Sequence, residues 1–82
     1  MEYDHDKVDE IVLALLSLRT WQEGDWGARV WKSHDWEVLD RLHAKGYISD
    51  PRSKAKSIVL GPAGLKRSRE MFEQYFGRKG AD

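Results

Sequence analysis

Residues 36–76 read WEVLDRLHAKGYISDPRSKAKSIVLGPAGLKRSREMFEQYF, and this stretch decides the fold. Its apolar residues first recur at helical spacing, and after Gly46 they form two short runs separated by a polar segment rich in turn residues. A proline then stands where a final helix would begin, a position that needs no backbone N–H. The predicted order is therefore helix, short strand, turn, short strand, helix.

Capping residues set the expected limits of these elements. We expect the first helix to run from about residue 34 to Lys45, with Ser33 as its N-cap and Gly46 as its left-handed stop. The other elements follow from the turn residues: a strand at 47–48, a turn over 50–56, a strand at 57–60, and a helix that begins at Pro62 and is ended by Gly77.

A further helix is expected near the amino terminus, from about Asp6 to Trp21. Five apolar residues recur there at helical spacing: Val8, Ile11, Val12, Leu15 and Leu18. Leu13 and Leu16 fall outside this stripe, so the apolar arc is wider than one small core needs. We therefore expect Leu13 and Leu16 to contact a partner subunit.

Four tryptophans stand five residues apart: Trp21, Trp26, Trp31 and Trp36. Neither a helix nor a strand places residues at that spacing on one surface. Gly24 and Gly27 also argue against a long helix, so residues 22–33 are predicted to form a bent loop. The rings would either fill gaps in the core or form an aromatic patch for a partner or an unstacked base.

Charge is distributed unevenly, although the formal net charge is zero. Residues 1–50 hold 11 acids and 6 bases, whereas residues 51–82 hold 8 bases and 3 acids. This polarity fits a phosphate-binding surface, a self-complementary surface for pairing, or two solvated faces. Five bases are candidates for nucleic-acid contact: Arg52, Lys54, Lys56, Lys66 and Arg67.

Length and composition limit the other possibilities. The 82 residues predict one domain, residues 1–82, with flexible ends at 1–5 and 78–82. So small a domain has a modest core, and dimerisation is an expected source of further buried area. The longest apolar run has six residues and no basic signal region precedes it, so we expect a cytoplasmic protein that does not enter the membrane.

The residues needed for catalysis or metal binding do not occur in a recognisable arrangement. The chain has no cysteine, and its three histidines lack metal-ligand spacing. Residues 61–66 lack the Gly-Lys-Ser/Thr ending of a phosphate loop. We therefore predict no metal, no cofactor, no catalytic residue and no enzymatic activity.

Residues 39–48, with the pattern Leu-x-x-Leu-x-x-x-Gly-Tyr-Ile, are followed by Ile-Val-Leu-Gly-x-x-Gly at residues 58–64. Together they resemble the recognition helix and wing of bacterial winged-helix regulators of the multiple-antibiotic-resistance type. The whole chain, especially residues 35–43 (DWEVLDRLH), resembles a family of small bacterial proteins of unknown function. The resemblance implies an α+β, winged-helix-like fold with three or more helices and a two-stranded hairpin wing.

Two functions remain open on this sequence. The first is a non-enzymatic protein-interaction module, expected to be a homodimer, whose interface holds Leu13, Leu16, Trp21, Trp26, Trp31, Phe72 and Phe76. The second is a DNA-binding regulator that uses the basic wing. Against the second, the outward face of the 34–45 helix carries as many acids as bases, and no clear helix precedes it to position it on DNA.

Overall fold

The computed structural model describes residues 1–32 and 35–78. The fold consists of three helices and a three-stranded antiparallel sheet with the strand order β1-β2-β3. In chain order the elements are α1 (His5–Leu16), a 3₁₀ turn (Ser17–Arg19), β1 (Trp21–Gly24), β2 (Gly27–Trp31), α2 (Trp36–Ala44), β3 (Ser57–Leu60) and α3 (Pro62–Phe76).

The predicted α+β class is confirmed, and so are several limits in the second half of the chain. Strand β3 occupies the predicted residues, and α3 begins at Pro62 and ends before Gly77. Gly46 has φ +81°, the left-handed conformation expected of a helix stop. These limits were predictable because single residues with restricted or unusual backbone preferences set them.

The sheet has three strands, so the prediction of a two-stranded wing is wrong. Residues 22–33, predicted as a loop, contain most of β1 and all of β2, which form a hairpin. The strand expected at residues 47–48 is reduced to an isolated bridge between Ile48 and Leu60. Strand β3 pairs instead with β2, over four consecutive residues of each strand.

The connection between β2 and α2 leaves no space for a positioning helix. Four residues separate Trp31 from Trp36, whereas two helical turns need about seven. The predicted N-cap, Ser33, lies outside the described residues. Asp35 caps α2 by accepting a hydrogen bond from the backbone N–H of Glu37 at 3.2 Å.

Helix α1 is shorter than predicted and packs into a single core. It ends at Leu16, and Trp21 begins a strand. Leu13 and Leu16, expected at a partner interface, are each 1% exposed within the chain. They pack with apolar residues of the sheet and the other helices, including Ala28, Val30, Leu39, Leu42, Ile58 and Leu60. Leu13 and Leu16 therefore belong to the core of one molecule, whereas two residues of the predicted stripe, Leu15 and Leu18, are 37% and 67% exposed.

Candidate binding surface on the outer face of the sheet

A bulge in β1 determines which side chains reach the outer face of the sheet. Trp21 lies opposite Arg29 and Gly24 opposite Gly27, so β1 has one residue more than β2 between these pairs. Gln22, within this interval, has φ +51°. The bulge interrupts the alternation of the strand, so that Glu23 reaches Arg69 on α3 while Trp21 shares a face with Arg29.

Strand β2 has one buried and one accessible face. Ala28 and Val30 are fully buried in the core, whereas Trp31 is 49% exposed. Because side chains alternate along a strand, Arg29 and Trp31 point together to the outer face. On β3, Val59 lies opposite Arg29, and Ser57 lies opposite Trp31. Arg29 Nη1 donates to Ser57 Oγ at 3.2 Å, which fixes the guanidinium across the strand pair.

Four residues form a continuous group on this outer face, here called the tryptophan face: Trp21, Trp26, Arg29 and Trp31. The Trp21 and Trp31 ring centroids are 5.0 Å apart, and the Arg29 guanidinium carbon lies 6.0 Å from the Trp21 and Trp26 ring centroids. Trp26 is 46% exposed. Cation–π contact and ring packing hold the indoles in place while leaving much of their surface accessible.

Trp21 is the least accessible tryptophan of the group. Its ring is half-buried, and its Nε1 is the one fully buried side-chain nitrogen or oxygen without a hydrogen-bond partner among residues 1–32 and 35–78. Trp21 therefore supports the neighbouring rings, and Trp26 and Trp31 offer the larger accessible area.

A second aromatic group lies where α2 begins. Trp36 is 50% exposed, and two cations lie over its ring, Arg52 at 5.1 Å and Lys32 at 5.9 Å. Lys32 Nζ also donates to the Ser53 carbonyl at 2.7 Å. These contacts bring the end of β2, the start of α2 and the 50–56 turn to one place.

Ion pairs neutralise some of the nearby charges and leave others available. Arg52 binds Asp40, and Arg69 binds Glu23; these hydrogen bonds hold the pKa of each carboxyl below its ordinary value. Four cations near the aromatic groups form no ion pair within the described part of the chain: Arg29, Lys32, Lys54 and Lys56. The backbone N–H of Lys32 donates to the Lys56 carbonyl, so these two residues are neighbours in the ladder.

The five predicted nucleic-acid contacts do not form one surface. Lys54 and Lys56 are exposed beside the second aromatic group, but Arg52 is engaged by Asp40. Lys66 lines a groove of about 440 Å³ between the hairpin turn and α3. Arg67 lines a separate cavity of about 260 Å³, beside Asp9.

The seven predicted interface residues fall into three places. Leu13 and Leu16 are in the core, as described above, and the three tryptophans are together on the outer sheet face. Phe72 and Phe76 stack on each other on α3 at 5.3 Å, and neither ring contacts a tryptophan ring in the described residues.

Sequence reasoning missed Arg29 and Lys32 as parts of the surface. The available signal was the spacing of Arg29 and Trp31, which puts them on the same side of any strand. This spacing identifies a surface only when residues 22–31 form a hairpin, which places Trp21 next to Arg29 and Trp31. Gly24 and Gly27, which flank the turn, were the indication of this hairpin in the sequence.

Two other classes of feature, metal clusters and membrane spans, do not occur in the part of the chain that the structure describes. Within residues 1–32 and 35–78, no group of three or more histidine, aspartate or glutamate side chains could hold a metal ion. In the same residues, no helix has the length and apolar character needed to cross a membrane.

Comparisons with known proteins give a family but no activity. The chain is 49% identical over 78 residues to the uncharacterised protein y4hR of Sinorhizobium fredii (strain NBRC 101917 / NGR234), a match that covers 95% of this chain and all of y4hR. No solved structure matches the chain. Residues 4–78 match the family described as a domain of unknown function, DUF6429. The chain therefore belongs to the DUF6429 family.

Proposed function

We propose that this domain is a non-enzymatic binding module and that the tryptophan face is its binding surface. The observation that supports this proposal is the exposure of Trp26 and Trp31, each close to half, at positions fixed by Arg29 and Trp21. Tryptophan and arginine are enriched at the energetic centres of interfaces.

The accessible area favours a small or extended partner. An indole side chain presents about 150–250 Å² when fully exposed, so two half-exposed rings offer roughly 200 Å². A stable protein dimer buries about 800 Å² on each partner. In addition, two residues of the expected homodimer interface, Leu13 and Leu16, lie in the core of one chain and are not accessible to a second chain.

Photo-crosslinking in cells tests this proposal whatever the chemical nature of the partner. A photoreactive phenylalanine analogue would replace Val59, which lies opposite Arg29 on the outer sheet face, or, as a control, the exposed Gln74 on α3. We expect a crosslinked species from position 59 and none from position 74. Equal crosslinking at both positions, or none at either in folded protein, would contradict a binding surface on the outer sheet face.

A further inference from the structure

We propose that the tryptophan face binds single-stranded nucleic acid, with bases stacked on the exposed indoles and phosphates held by the neighbouring cations. This proposal rests on the proposed function, and it adds the chemical class of the ligand. Proteins that bind single strands combine exposed aromatic rings with a line of positive charge, and stacking tolerates any base because every base has a π-face.

The aromatic part of such a site is present on two adjoining elements. Trp31 and Trp26 are about half exposed on the hairpin, and Trp36, at the start of α2, is 50% exposed. Arg29 and Lys32 lie between them in the sequence and contact rings of both groups, Arg29 at Trp21 and Trp26 and Lys32 at Trp36. Each aromatic group therefore has a cation beside its rings.

Four cations near these rings are available to an anionic ligand. Arg29, Lys32, Lys54 and Lys56 form no ion pair in the described residues, so their charge is available to phosphate. Two nearby acids are paired with cations, Glu23 with Arg69 and Asp40 with Arg52. Asp35 and Asp50 accept backbone N–H groups and keep their charge, and Asp25 and Glu37 accept no hydrogen bond in the described residues.

The small number of residues between β2 and α2 argues for single strands rather than duplex. A duplex reader of the helix-turn-helix class places a recognition helix in the major groove with a preceding helix across the backbone. Only four residues separate β2 from α2. On α2, Asp40 forms an ion pair with Arg52, and Arg41 forms an ion pair with Asp9. Stacking on exposed indoles instead needs bases that are free of a partner strand.

Fluorescence anisotropy of a labelled oligothymidylate of about ten nucleotides tests this ligand class at low salt. We expect binding by the full chain that weakens as salt rises, and a loss of at least about fivefold for Trp31→Ala, because one stacked base contributes a factor of this order or more. For the double variant Lys54→Ala and Lys56→Ala, the slope of log affinity against log salt should become shallower by about 1.4, since each single-strand phosphate contact contributes about 0.7.

Controls separate this mechanism from general attraction and from misfolding. Lys7→Ala removes an exposed cation on α1 that lies over the ring of Tyr75, near the end of α3 opposite the hairpin turn, and should leave both affinity and slope nearly unchanged. The double lysine variant lies in an exposed turn, so it tests the proposal even if Trp31→Ala fails to fold.

Three results would overturn the proposal: no binding at low salt, equal weakening by Lys7→Ala, or preference for an acidic peptide or duplex DNA over the oligothymidylate. If the probe at position 59 crosslinked only to protein in cells, the nucleic-acid ligand would be wrong while the binding module remained. If it crosslinked to nothing, both proposals would fail.

Discussion

Arg41 on α2 holds the carboxylate of Asp9 on α1 with two hydrogen bonds, Nε to Oδ2 at 2.7 Å and Nη2 to Oδ1 at 2.8 Å. Asp9 is 1% exposed, and Lys45 Nζ also lies 3.3 Å from Oδ2. An ionised carboxylate in such a place is costly unless it is paired and hydrogen-bonded. The pair therefore fixes α1 against α2, the helix that carries Trp36.

Removing the partner of this buried carboxylate should be more destabilising than removing an exposed partner. We expect Arg41→Ala to lower the free energy of unfolding by about 2–4 kcal/mol, because Asp9 is left buried with only Lys45. Arg52→Ala is the matched control, since it breaks a similar pair with the more exposed Asp40 and should cost much less. Urea unfolding measures both, and equal losses would show that the Asp9 pair is no more important than a surface pair.

The same carboxylate should make stability depend on acid. Burial raises the pKa of Asp9, but hydrogen bonds and positive charge from Arg41 and Lys45 outweigh it and hold the pKa below the ordinary value of 3.8. The unfolded chain therefore takes up a proton first as the pH falls, and stability present above about pH 4 is lost as the pH falls through the folded pKa.

Urea midpoints measured between about pH 5 and pH 3 test this acid dependence. We expect the decline in stability to be smaller in Asp9→Asn than in the unmodified chain. Asp25→Asn, an exposed carboxylate that accepts no hydrogen bond in the described residues, should leave the decline unchanged. An unaltered decline in Asp9→Asn would remove Asp9 from the explanation.

Gly27 allows β2 to approach β3 at the hairpin turn. A Cβ at this position would lie 1.8 Å from the Leu60 carbonyl oxygen, and φ is +116°. Gly27→Ala should therefore destabilise the fold by about 3 kcal/mol or more.

Gly46 has a similar positive φ of +81° with nothing within 4 Å of an added Cβ, so Gly46→Ala should cost only the backbone strain, about 1–2 kcal/mol. Thermal or urea unfolding of the two variants compares steric clash with strain, and similar losses would argue against the close approach.

Gln22 provides a test of the bulge in β1, which determines which side chains reach the outer face of the sheet. It is the one non-glycine residue with positive φ in the described chain, so Gln22→Gly should relieve strain and stabilise the domain by about 0.5–1 kcal/mol. The control Gln74→Gly, on the exposed side of α3, should destabilise it by about 1 kcal/mol. A loss of stability in Gln22→Gly would mean that residue 22 has an ordinary strand conformation.

The second half of the fold could be predicted because its signals are local. Pro62 restricts the backbone where α3 begins, Gly46 permits the left-handed conformation after α2, and Gly77 follows the last residue of α3. The apolar run 58–60 has no competing helical pattern. The hairpin could not be predicted in the same way. Its strands have four and five residues, and the bulge at Gln22 interrupts the alternation by which a strand is recognised.

The candidate surface was predictable in its residue types and not in its arrangement. The tryptophans stood out in the sequence, but their five-residue spacing suggested scattered directions. Cross-strand pairing resolves this, because Trp31 lies two residues along β2 from Arg29, the partner of Trp21. Burial of Leu13 and Leu16 was also hidden, since helical periodicity does not show whether a wide apolar arc meets its own chain or another.

Acrylamide quenching of four single-tryptophan variants, each with the other three tryptophans replaced by phenylalanine, tests the exposed tryptophan face most directly. In folded protein, Trp26 and Trp31 should be quenched as readily as the half-exposed Trp36, and Trp21, with its buried Nε1, clearly less. If Trp26 and Trp31 were shielded to the same degree as Trp21, the outer sheet face would not be an accessible binding surface.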